Sequence, residues 1–181
     1  MRERAEQLEK NLQDRENTEN QLQDVNVKFF ALIQSVPDMI SFKDVNGRYL
    51  VVNRAFEDIT GMEQDDINGK TCYEVFKPDV AESLFQFDKQ VLRSRMVCRF
   101  EQEFSCNGKR IVTDTIKTPI YSTNGQVAGI ISVSRDITSR RQVEDLYEVL
   151  ANSSPVGVYV TQKGMVRFGN PKFREYTGLS E

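Results

Sequence analysis

Gly47-Arg48-Tyr49-Leu50-Val51-Val52-Asn53-Arg54-Ala55-Phe56, closed a few residues later by Thr60-Gly61, is the stretch that decides the fold. Tyr49–Val52 is aromatic and β-branched and reads as a strand. Asn53 has the short polar side chain of a helix N-cap, and Gly61 supplies the left-handed stop of a helix over Arg54–Thr60. The same punctuation returns as Gly164, Asn170, Phe173, Thr177 and Gly178, and Pro37 returns at Pro155 with one residue of slippage. Asn170 stands before Pro171, an N-cap followed by proline at the first helical position, and this assigns Asn53 the same capping role. A ligand contact is the alternative for Asn53. Self-similarity at domain length marks a tandem array.

Outward from this stretch the chain reads as strands and turns. Asn-Gly occurs four times, at Asn46-Gly47, Asn68-Gly69, Asn107-Gly108 and Asn124-Gly125. The dipeptide favours a type I′ turn, in which both central residues take positive φ. Three of the four separate strand-like runs: 39–43 from 49–52, 97–105 from 110–117, and the last of these from 127–134. Asn68-Gly69 lies in an acidic helical stretch and reads as a helix stop. Between the first two strands and the last three lies a helical block. Its longest member, 78–93, opens on Pro78 and carries Val80, Leu84, Phe87, Val91 and Leu92 along one stripe. One antiparallel sheet covered by helices is an α+β domain.

Residues 1–28 contain no Gly, Pro or aromatic residue and predict a long helix, with Glu6–Lys10 as a favourable i,i+4 pair. A heptad places Ala5, Leu12, Glu19, Asn26 and Ile33 at one core position, and Met1, Leu8, Arg15, Leu22 and Phe29 at the other. Arg15, Glu19 and Asn26 weaken that seam, and a change of phase at Leu22 recovers Leu22, Val25, Phe29 and Leu32. A weak coiled coil between two chains and a lone amphipathic helix are both open.

Composition removes much chemistry. The chain has 181 residues, 39% of them apolar, which suits one domain and something extra. A formal charge of −3 gives no reason to expect a nucleic-acid partner. With no histidine, this chain holds no Ser-His-Asp triad, no His-ligated metal or haem and no phosphoacceptor histidine. Cys72, Cys98 and Cys106 are an odd set without C-x-x-C spacing and read as reduced thiols of the cytoplasm, where Cys72 as an anchor for a covalent chromophore is the minor alternative. Met1-Arg2-Glu3-Arg4-Ala5-Glu6 is charged where a leader needs an apolar core, and no run approaches the length of a membrane span. Gly69-Lys70-Thr71 imitates the end of a phosphate loop, but Gln64 stands where glycine is needed and Asp65-Asp66 would repel phosphate.

The order of these features resembles the PAS family of sensor domains. Ser35-Val36-Pro37-Asp38-Met39-Ile40, then Gly47–Phe56 and Thr60-Gly61, resemble its opening half, and Asp65-Asp66-Ile67-Asn68-Gly69-Lys70-Thr71 its linker helix and loop. Lys117-Thr118-Pro119-Ile120, Asn124-Gly125 and Gly129 resemble its last hairpin, and Ser132-Val133-Ser134-Arg135-Asp136-Ile137-Thr138 its exit signature. The resemblance implies 1–29 as a signalling helix, 30–137 as a PAS domain with a five-stranded antiparallel sheet, 138–150 as a linker helix, and 151–181 as the truncated start of a second copy. It implies sensing for an output module outside this chain, a histidine kinase first and a diguanylate cyclase or phosphodiesterase next. The runner-up is a dimerisation and interaction module with a filled core. The family's light-sensing branch carries a reactive cysteine after the helix-opening asparagine. Arg54 stands there, which argues against cysteinyl-flavin and leaves a noncovalent metabolite or flavin open.

Strand parity addresses the pocket. A two-residue turn at Asn107-Gly108 sets Phe104 opposite Ile111, Gln102 opposite Thr113, Phe100 opposite Thr115 and Cys98 opposite Lys117. Phe100, Phe104 and Ile111 then share a face with Gln102, Thr113 and Thr115, an apolar surface with a few polar groups. The other face opposes Glu101 and Asp114, a repulsion that solvent and Arg99 can relieve; a register one residue off would exchange the faces. The pocket candidates are Ile40, Phe42, Asn53, Phe56, Ile59, the aromatic of the Val75-Phe76 pair, Phe100, Gln102, Phe104, Thr113 and Thr115. Asp136, Ile137 and Thr138 are expected to couple the sheet to the following helix. Ser139 and Gln142 have capping-box spacing there, and Arg140–Glu144 and Arg141–Asp145 can pair across one turn. Val143, Leu146, Tyr147 and Leu150 form its apolar stripe, so a homodimer through both flanking helices is expected.

Overall fold

The computed structural model describes residues 2–106 and 108–178, with side chains from residue 10 onward. It divides into two compact units, 1–136 and 137–181. The first unit opens with helix α1 (Arg2–Ser35). This helix runs past the boundary expected at residue 29, because nothing between Phe29 and Ser35 breaks it. Val36 ends it, since a residue before proline is driven out of helical geometry. Leu12, Leu22, Val25, Phe29 and Leu32 of the expected seam are exposed. The Glu6–Lys10 pair and the side chains of Met1, Ala5 and Leu8 lie outside the described residues.

Strands β1 (Met39–Asp44) and β2 (Tyr49–Val52) form a hairpin. A helical block follows: α2 (Arg54–Thr60), α3 (Gln64–Ile67), α4 (Cys72–Val75) and α5 (Pro78–Ser94). Strands β3 (Cys98–Cys106), β4 (Lys109–Tyr121) and β5 (Val127–Asp136) complete an antiparallel sheet of order β2-β1-β5-β4-β3. The domain is α+β, as expected. Its helices bury one face of the sheet around Met39, Tyr49, Val52, Phe56, Ile67, Cys72 and Ala81.

The β3–β4 register is the expected one: Phe104 faces Ile111, Gln102 faces Thr113, Phe100 faces Thr115 and Cys98 faces Lys117. Glu101 does stand opposite Asp114, and the Arg99 guanidinium relieves the repulsion through two bonds to the Asp114 carboxylate, at 2.9 and 2.5 Å. Asn107 lies outside the described residues, and Gly108 takes φ +75°.

The other two Asn-Gly turns are not type I′. Gly47 and Gly125 have φ +78°, but neither Asn46 nor Asn124 has a positive φ. Gly47 N donates to the Asp44 carbonyl, and Asp44 N donates to the Arg48 carbonyl. Ser122, Gly125 and Gln126 repeat the pattern. Both are three-residue turns closed by a left-handed glycine. Side-chain acceptors select them: the Asp44 carboxylate takes the Asn46 and Arg48 amides, and the Asn124 carbonyl takes the Gln126 amide. Asn68 terminates α3, and Gly69 follows at φ +77°.

The second unit contains α6 (Thr138–Ser153), β6 (Tyr159–Gln162), β7 (Met165–Gly169) and α7 (Pro171–Thr177). The expected Ser139–Gln142 capping box is absent, because the helix starts two residues earlier with Ile137 as its cap. Arg140 and Arg141 both pair with Glu144, at 3.3 Å. Lys163 and Gly164, at φ 54° and 76°, make a two-residue turn between Gln162 and Met165 with both central residues at positive φ.

Candidate functional site

The domain's interior holds charge. Along β1 the alternate residues Met39, Ser41 and Lys43 point inward and are buried. Thr113, Thr115 and Lys117 do the same along β4, while β5 presents Ser132 and Ser134 between them. Ser132 sits opposite Ser41 on one side and Lys117 on the other. Helix α5 lays Asp88 over this row from the same face that buries Val80, Ala81 and Val91.

Lys43 Nζ donates to Asp88 Oδ2 at 2.8 Å, and Lys117 Nζ donates to Asp88 Oδ1. Lys117 also reaches the Leu84 carbonyl at 3.3 Å. The Lys43 ammonium lies 4.4 Å from the centre of the Tyr49 ring, a cation–π contact between buried groups. Lys43, Lys117 and Asp88 are only 2%, 1% and 3% exposed, so their interaction is barely screened.

Burial is the largest influence on both lysines and opposes their charge. At Lys43 it is outweighed by Tyr49 and by the charge and hydrogen bond of Asp88, and the ammonium is held above its ordinary value. Lys117 gives way instead: burial, with repulsion from Lys43, pushes it down to about 8 despite Asp88. Burial raises Tyr49 to about 12 and keeps the Cys72 thiol above its usual value, so both stay neutral. Cys72 Sγ donates to the Ala81 carbonyl at 3.4 Å and is 3% exposed, a packed thiol.

These side chains enclose a cavity of about 40 Å³, walled on its other side by Phe56, Phe76 and Phe104. That volume holds a few heavy atoms, far from the roughly 300 Å³ of an ordinary cofactor site.

Of the expected pocket residues, Phe56, Gln102, Phe104, Thr113 and Thr115 line the cavity. At the Val75-Phe76 pair it is Phe76 that does so, while Val75 packs on the core with Ile59. Ile40 and Phe42 are not in the wall: the inward parity of β1 belongs to Met39, Ser41 and Lys43, so both fall on the opposite face. Phe100 stacks on Phe87 instead, with ring centres 3.6 Å apart. Asn53 is fully spent on structure. Its Oδ1 accepts from the Ile40 and Phe56 amides, and its Nδ2 donates to the Ile33, Val36 and Asp38 carbonyls. Asn170 repeats this, accepting from Val158 and Phe173 and donating to Ala151 and Val156. Asp136 ends β5, Ile137 caps α6 and Thr138 begins it.

Lys43, Lys117 and Asp88 were absent from the expectation. The register already set Lys117 on the Thr113–Thr115 face, so strand parity carried its signal. Nothing short of the packed helix indicates Asp88.

Comparison with known proteins agrees with this architecture. A family model described as "PAS fold" matches residues 33–142, and one described as "PAS domain" matches residues 145–181. The chain belongs to the PAS family. Its PAS region is 26% identical over 119 residues to the aerobic respiration control sensor protein ArcB of Escherichia coli, covering 65% of this chain and 15% of that protein. It is 25% identical over 115 residues to the methanogenesis regulatory histidine kinase FilI of Methanothrix harundinacea, covering 64% of this chain and 13% of that one. The chain thus spans a small part of the relatives it matches. The solved PAS domain of Bordetella pertussis BvgS superposes with a TM-score of 0.56 at 27% identity, covering 70% of this chain and 98% of that domain. No helix among the described residues is long and apolar enough to cross a membrane.

Proposed function

We propose that this chain is the sensory input region of a multidomain bacterial or archaeal signalling protein, with a small ligand entering the PAS cavity and α6 carrying the response to an output module. One observation carries the reading: β5 supplies Ser132 and Ser134 to the cavity wall and runs directly through Asp136 and Ile137 into α6. A ligand that shifts β5 by its contacts with those serines displaces the start of α6 through the covalent chain. Asp136, Ile137 and Thr138 are the coupling residues in this scheme. The kinship with ArcB and FilI favours a histidine kinase as the output, ahead of a cyclic-di-GMP enzyme, and a reducing cytoplasmic setting suits the three free cysteines.

Dimerisation belongs to the same reading. Val143, Leu146, Tyr147 and Leu150 are exposed along α6, as are Leu22, Val25, Phe29 and Leu32 along α1. Two such stripes on flanking helices suit pairing with a second copy. Native mass spectrometry of freshly purified chain tests the ligand part: a small bound mass is expected. A bare polypeptide that no small molecule stabilises would leave a filled-core interaction module instead.

A further inference from the structure

Two buried ammonium groups share one carboxylate, and the cluster keeps a surplus of one positive charge when both lysines are protonated. An ammonium has three donors. Among the described residues Lys43 gives one to Asp88 and also bonds the Tyr49 side chain, and Lys117 uses two, so each ammonium keeps one open donor. Ser41 and Ser132, 5% and 6% exposed, border the same cavity, and neither hydroxyl has a partner among the described residues. Donors, hydroxyls and surplus charge therefore meet at the place where Ser132 bridges Ser41 and Lys117 in the register. The facing wall is apolar.

We infer that this cavity binds a small monocarboxylate, its carboxylate among Lys43, Lys117, Ser41 and Ser132 and its short carbon chain against Phe56 and Phe76. The inference rests on the sensory reading above and names its ligand class. A carboxylate neutralises the surplus and fills the open donors with charge-assisted hydrogen bonds. A neutral ligand of the same shape leaves the charge where it is. The volume of about 40 Å³ limits the ligand to the size of acetate or propionate. The groups facing Lys117 are Asp88 from α5, Lys43 from β1 and Cys72 from α4, while Tyr49 from β2 faces Lys43. Tyr49 and Cys72 stay neutral across the working range, so Lys117 is the group whose proton the anion recruits. Binding at pH 8 takes up a fraction of a proton, and affinity falls about tenfold per pH unit above that.

Calorimetry on the dialysed full chain, with sodium propionate and sodium acetate as probes at matched ionic strength, tests this. Propionamide is the neutral control. One saturable site for propionate is expected, with propionamide at least tenfold weaker. Lys117→Met should weaken propionate at least tenfold, and Ser132→Ala, a smaller change that leaves the core charges intact, severalfold. Equal binding of propionamide and propionate, or an undiminished affinity in Lys117→Met, would overturn the anion inference and leave ligand sensing standing. So would a neutral molecule found bound by native mass spectrometry when propionate does not bind. No binding of either probe, with no bound mass and no stabilisation by any small molecule, would bring down both readings.

Discussion

Replacing Lys117 by methionine removes the surplus charge while keeping an unbranched side chain one atom shorter, and the consequence for stability can be worked out. Lys117 titrates near 8 in the folded chain against an ordinary 10.5, because burial and Lys43 disfavour its proton. At about 1.4 kcal/mol per pH unit, holding that proton costs the fold about 3 kcal/mol. Below pH 8 the folded chain carries the proton and the full cost. Between 8 and 10.5 the unfolded chain holds a proton that the folded one has released, so stability rises with pH. Above 10.5 the contribution vanishes. From pH 8 to 9.5 the wild type should therefore gain about 2 kcal/mol relative to Lys117→Met, in which this term is absent. That cost is already net of the Asp88 bond, so the variant additionally loses only the bond to Leu84, at about 1 kcal/mol, which leaves it ahead by about 2 kcal/mol at pH 7.5. Urea unfolding followed by circular dichroism at several pH values measures the difference, with protection of the Cys72 thiol identifying the transition of the first unit. Parallel pH profiles for the two proteins would refute the reasoning.

Asn53→Ala removes a cap and strands the part-buried Ile40 amide and the Val36 and Asp38 carbonyls, and should cost about 3 kcal/mol in thermal unfolding. Asn170→Ala removes the same network from the second unit, and hydrogen exchange should quicken in residues 151–178 but not in the sheet. Gly129→Ala would set a Cβ 2.2 Å from the Lys43 carbonyl oxygen and 2.7 Å from the Phe42 ring, and is expected to destabilise the domain by about 2 kcal/mol through separation of β1 from β5. If the proposed dimer forms through α6, Leu146→Glu should shift sedimentation toward monomer; an unchanged coefficient would remove α6 from that proposal.

The frame of the fold was legible because its signals are local. Asn53 and Asn170 announce their helices by residue type, and Gly61 and Gly178 end them at φ 71° and 67°. The β3–β4 register followed from one turn and the rule that strand faces alternate. Turn type was misread because Asn-Gly is ambiguous: Asp44 and Asn124 accept amides from the residues after them and select a three-residue turn. The repeat was visible too, although Val156, Tyr159, Val160, Met165, Val166 and Tyr176 of the second unit are exposed. A unit with two strands among its described residues leaves such surface without covering strands, so slow hydrogen exchange there in a monomer would contradict this reading.

The charged interior was hidden by the assumption that an inward face is apolar. On β1 that assumption selects Ile40 and Phe42, whereas the buried parity is Met39, Ser41 and Lys43. Two lysines on strands that never touch each other become one site only because β5 lies between them and α5 brings a single carboxylate over both. A buried charge cluster is a poor way to stabilise a domain, since well-packed apolar residues of similar volume usually serve as well. The inferred carboxylate would offset part of that cost. One carboxylate for two ammonium groups leaves the domain with an unmet demand for negative charge at a defined point on the strand that leads to α6. On the proposed reading, an interior incomplete in charge beside the exit strand would supply the energetic asymmetry between empty and filled states that a sensor requires.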